Sequence, residues 1–65
     1  MALKVLTEEE ATDRLLWLEV QGTTNVLRMR ALSDRGIQPN AQDVERLRQI
    51  SRVASQVAKH YEDRL

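Results

Sequence analysis

The segment Asn40–Leu65, NAQDVERLRQISRVASQVAKHYEDRL, decides the fold. At about 100° per residue, Val44, Leu47, Ile50, Ala54, Val57, Ala58, Tyr61 and Leu65 fall in an arc of roughly a third of the circumference. That is the width of a core-facing stripe, so the pattern predicts an amphipathic helix over about residues 41–64. Everything before it is expected to lie against that stripe.

Working back toward the N-terminus, Asn40 reads as the cap of this helix, with Asp43 in its first turn. Pro39 precedes it, and Gly36 follows Ser33-Asp34-Arg35 as a left-handed residue closing an earlier helix. Ile37 is placed to fold back on that helix end. A loop over 36–40 is short enough to force an antiparallel hairpin. The first helix is expected over about 8–35. Thr7 and Glu10 have the spacing of a capping box, Leu6 and Ala11 that of a hydrophobic staple, and Glu8 and Glu9 complement the positive helix end. Residues 1–6 have no helical punctuation and read as an extended arm with Leu6 packed down.

The first helix carries two apolar stripes. Ala11, Leu15, Leu18, Gly22, Val26 and Met29 form one; Leu16, Val20, Thr23, Leu27 and Ala31 form another, about 100° or more away. Helix 2 can cover only one, and a contiguous uncovered apolar strip is more often an interface than an accident. The fold class expected is therefore all-α: an antiparallel two-helix hairpin assembling as a homodimer into a four-helix bundle. The weak point is Gln21-Gly22-Thr23-Thr24-Asn25, where Gly costs about 1 kcal/mol relative to Ala. Apolar periodicity keeps its phase across it, which favours a continuous helix. A break there would let Thr23 or Thr24 cap a third helix.

The 65-residue chain is near the lower limit for a single core. It has no cysteine, which removes disulfides and thiolate metal sites and fits a reducing compartment. With no Phe, one Trp and one Tyr, its core must be aliphatic and thin. The Met1–Leu6 stretch is too short for a signal peptide, and no apolar run approaches membrane-spanning length, so the expectation is a cytoplasmic protein without membrane contact.

No catalytic, metal or cofactor motif stands out, and an enzyme is not expected. His60, the one histidine, reads as a surface residue beside Asp63, too far along a rigid helix from Ser51 and Ser55 to act as their base. Glu8, Glu9, Glu10 and Asp13 diverge around a helix rather than converge on an ion. Arg28, Arg30, Arg35, Arg46, Arg48 and Arg52 crowd the loop end, partly neutralised by Asp34, Asp43 and Glu45. Arg30 with Asp34, and Glu45 with Arg48, have ion-pair spacing. These arginines are candidate nucleic-acid contacts, although zero formal net charge, a pI near 6.6 and the lack of interleaved aromatics are not the usual footprint. Trp17 lies beside Val20, Thr24 and Arg28, the composition of an interface anchor; packing on helix 2 or on a dimer mate is the plain alternative.

The pieces Thr7-Glu8-Glu9-Glu10-Ala11, Thr24-Asn25-Val26-Leu27-Arg28 and Asp43-Val44-Glu45-Arg46-Leu47-Arg48 resemble parts of the DNA-binding domains of excisionases and mercury regulators. A wing would have to fit between Gly36 and Asn40, and helix-forming Leu16-Trp17-Leu18-Glu19-Val20 occupies the turn, so the chain is not assigned there. In outline it is similar to small bacterial helical hairpins such as plasmid copy-number proteins and type III secretion co-chaperones, a likeness of architecture alone. The function expected is a small adaptor, co-chaperone or inhibitor that presents Leu16, Trp17, Val20, Thr24, Leu27 and Ala31 to a larger protein partner. The alternative is a nucleic-acid-binding regulator using the loop-end arginines.

Overall fold

The computed structural model describes residues 5–65; of the expected arm, residues 1–4 lie outside them. Each helix starts where a side chain takes up backbone amides that the first turn leaves unpaired. Thr7 Oγ1 accepts from the Glu10 amide and Glu10 Oε1 from the Thr7 amide, both at 3.1 Å, opening α1 (Glu8–Asp34). Asn40 Oδ1 accepts from the Asp43 amide at 2.9 Å and Asp43 Oδ2 from the Asn40 amide at 3.0 Å, opening α2 (Ala41–Glu62). Both are reciprocal capping boxes, the second with Asp in place of the usual Glu.

The first helix runs unbroken through Gly22-Thr23-Thr24-Asn25. It closes on a Schellman motif: the Gly36 amide donates to the Ser33 carbonyl at 3.0 Å and the Ile37 amide to the Leu32 carbonyl at 2.9 Å. Gly36 holds φ +66°, a conformation that costs an L side chain. Ile37 shares a shallow depression with Met29 and Ser33. From this reversal the two helices run antiparallel, with Glu8 beside His60 at the open end and Arg28 beside Asp43 at the loop end. The fold is all-helical, and no strand occurs among the described residues.

The seam between the helices is only partly apolar. Leu6, Ala11 and Val57 are buried together near the open end, with Leu18 packed against them. Further along, Asn25 and Asp43 are buried, and His60 closes the open end. On α1 the buried positions Ala11 and Asn25, with half-buried Leu18 between, repeat every seven residues; Asp43, half-buried Ile50 and Val57 do the same on α2. Seven residues is about two helical turns, so each set forms one line.

The rotation of α2 differs from the expected one. Asp43, Ile50, Val53, Val57 and His60 are its covered residues, whereas Val44, Leu47, Ala54, Ala58, Tyr61 and Leu65 are exposed, Leu47 by 45%. The apolar arc is wider than one helix can cover, and the Arg28–Asp43 pair turns Asp43 inward. On α1, Ala11 is buried and Leu18, Gly22 and Met29 are half-buried, but Leu15 and Val26 of the same stripe face outward. The other stripe, Leu16, Val20, Thr23, Leu27 and Ala31, is wholly exposed.

Candidate interaction surfaces

The outward side of α1 is the first candidate. Leu16, Val20 and Leu27 are 58%, 61% and 61% exposed, and Thr24 and Ala31 are exposed beside them. Side chains four and seven apart on one helix form a continuous ridge, so these positions make one apolar strip facing away from α2. Trp17 does not belong to its crest. It is half-buried and lines a shallow depression across the helix seam with Asp13, Arg14, Gln49 and Val53.

The loop-end arginines split into two groups. Arg28 forms a two-pronged pair with Asp43, Nε to Oδ1 at 2.6 Å and the terminal nitrogen to Oδ2 at 3.3 Å. The guanidinium holds the Asp43 carboxyl below its ordinary range, with help from the Asn40 amide; the carboxylate in turn raises the guanidinium pKa. Arg52 meets Glu45 at 3.0 Å, seven residues away, where Arg48 was the expected partner. Among the described residues, Arg30, Arg35, Arg46 and Arg48 make no ion pair, so the expected Arg30–Asp34 pair is not formed.

His60 corrects the surface reading. Its side chain is 3% exposed, and Nε2 lies 3.6 Å from Glu8 Oε1, too long for a hydrogen bond. Glu8 is engaged by Arg64, and Asp63 pairs with Lys59 at 3.2 Å rather than with His60. The imidazole also meets the Tyr61 ring edge-on, centroids 4.9 Å apart. Helix antiparallelism brings Glu8 to His60, a juxtaposition that local sequence spacing does not encode. No group of three or more potential metal ligands occurs among the described residues, and no helix there is long and apolar enough to cross a membrane.

On α2, the small residues Ser51, Ser55 and Ala58 border a shallow depression rimmed by Arg52, Lys59 and Glu62. Two features escaped the apolar pattern: the polar seam residues Asn25 and Asp43, and the exposure of Leu15 and Val26 with Leu47 and Tyr61. The seven-residue spacing of Ala11, Leu18, Asn25 and of Asp43, Ile50, Val57 is the signal that carried them. In comparisons with known proteins, no family model, no curated protein and no solved structure matches the chain.

Proposed function

We propose that the chain is a small non-catalytic interaction module: a dimeric four-helix bundle whose outer α1 strip, Leu16, Val20 and Leu27 with Thr24 and Ala31, docks on a larger protein as adaptor, co-chaperone or inhibitor. The observation carrying this reading is the exposure of that strip on the side of α1 opposite α2, where intramolecular packing has no use for it. A helix presenting apolar anchors at this spacing suits a groove or the open side of a bundle. Trp17, at the seam, supports the edge of the surface. A cysteine-free chain suits the cytoplasm.

The test is a photo-crosslinking residue at Val20 in cells of the source organism, with the same residue at Ser55 as control. A discrete protein adduct at Val20, lost when Leu16→Glu and Leu27→Glu are added to a still-helical chain, is expected. Identical adducts at both positions, or none at Val20, count against the module.

The second reading, a nucleic-acid-binding regulator, is favoured by Arg30, Arg35, Arg46 and Arg48 near the loop, which make no ion pair among the described residues. It requires duplex binding that falls steeply with salt and is lost in Arg30→Ala with Arg48→Ala. Arg28 is a poor reporter because removing it also undoes the Asp43 clasp.

A further inference from the structure

The apolar residues left exposed by the hairpin do not all point the same way. On a helical wheel measured from the direction in which each helix faces the other, exposed Leu15 and Val26, with half-buried Gly22 between them, lie roughly 40° to 80° round α1 from the Ala11, Leu18, Asn25 line. Leu47, Ala54 and Tyr61 lie up to a quarter-turn round α2 in the same rotational sense. Because the helices are antiparallel, equal senses lead to the same side of the hairpin. The opposite flank behaves consistently, since Arg14 and Trp17 of α1 meet Gln49 and Val53 of α2 in one depression. One broad side is thus apolar across both helices, with Glu19 at its margin, while the other is polar and already furnished with Trp17.

We propose that this bipartite face receives a second copy of the same chain, turned so that the loops of the two hairpins lie at opposite ends of a four-helix bundle. The pairing deepens the bundle half of the reading above and leaves the outer Leu16, Val20, Leu27 strip free.

Side-chain size alternates along the face. Leu15, Gly22 and Met29 on α1, and Leu47, Ala54 and Tyr61 on α2, run large, small, large at seven-residue intervals. That alternation lets facing layers interdigitate.

Charge selects the orientation. At the open end Glu8, Glu9, Glu10, Asp13, Glu62 and Asp63 outnumber Arg14, Lys59 and Arg64. At the loop end Arg28, Arg30, Arg35, Arg46 and Arg48 outnumber Asp34, Asp43 and Glu45. Opposed loops set each acidic end against the partner's basic end, whereas adjacent loops would stack like charges.

The chain has no cysteine, so Gln38→Cys in the exposed loop gives a single spin-label site. Light scattering is expected to show twice the chain mass, and the label-to-label distance by pulsed electron resonance should be about 40 Å or more, from 1.5 Å rise per residue on both sides of the face. Adjacent loops would instead give roughly 10 to 20 Å, one or two helix spacings. A short distance, or a monomer at the highest soluble concentration, overturns the proposal. Added salt should weaken the dimer; strengthening by salt also overturns it. Val26→Glu with Leu47→Glu should halve the mass, and Leu16→Glu with Leu27→Glu should leave it unchanged; the reverse pattern refutes the assignment of the face. The distance in the labelled parent chain decides even if the charged variants fail to fold. A dimer of this geometry without any Val20 adduct would sink the partner-docking role alone, and a monomer with the adduct would sink the pairing alone.

Discussion

Arg28 Nε stands 2.6 Å from Asp43 Oδ1, and the same carboxylate accepts the Asn40 amide at 3.0 Å through Oδ2. Asp43 therefore ends the loop, starts α2 and ties α2 to α1 with one side chain. Its folded-state pKa lies below the unfolded value, chiefly because of Arg28. The stability it contributes is present above the unfolded value, about 3.9, and is lost as pH falls through the folded one. Melting followed by circular dichroism should show Tm falling below about pH 4, with Asp43→Asn lowering Tm at neutral pH and flattening the acid limb. An unchanged limb in that variant would assign the acid sensitivity to other carboxylates.

The two glycines should respond to alanine with opposite signs. Gly36→Ala places an L side chain at φ +66° and should cost about 1 to 2 kcal/mol. Gly22 is helical, and a Cβ there meets nothing within 4 Å in the hairpin, so Gly22→Ala should stabilise the protomer by about 0.5 to 1 kcal/mol. Chemical denaturation of dilute protein measures both. If Gly22 also sits in the bundle interface, its alanine variant gains stability at low concentration and loses dimer affinity.

A leucine of the open end and one of the face shared by α1 and α2 separate folding from association. Leu6 is buried, and Leu6→Ala should cost about 2 to 5 kcal/mol at any concentration. Leu47 is 45% exposed, so Leu47→Ala should leave the lone hairpin folded. A dimer should melt higher as concentration rises. Leu47→Ala should remove most of that dependence while leaving the dilute Tm within a few degrees, as scanning calorimetry across concentrations would reveal.

Asn25 is 4% exposed, and its Oδ1 has no hydrogen-bond partner among the described residues. Replacing an unsatisfied buried amide with a similar-sized apolar group, Asn25→Leu, should raise stability by about 1 to 2 kcal/mol. Denaturant titration checks the gain; a loss would show that the leucine does not fit the seam.

The helices were legible because their signals are local. Thr7 with Glu10, Asn40 before Asp43, and Gly36 before Pro39 each act over four residues or fewer. The rotation of α2 was not legible in the same way. Val44 to Leu65 offers an apolar arc wider than a single neighbour covers, and hydrophobicity alone does not say which part of it faces inward. Arg28 and Asp43 decide that, and they lie fifteen residues apart on different helices. The burial of His60 is likewise set by chain reversal. Of the candidate surfaces, the outer Leu16, Val20, Leu27 strip was readable from periodicity, whereas the face shared by α1 and α2 needed the two helices placed side by side.

The seam is fastened by unlike means at its two ends. Leu6, Ala11 and Val57 close the open end by excluding water, while Arg28 and Asp43 clasp the loop end through charge and hydrogen bonds. Cooling weakens the first kind of contact, and acid undoes the second. The hairpin thus has two separable latches, and a shift in solvent conditions selects the end from which it splays.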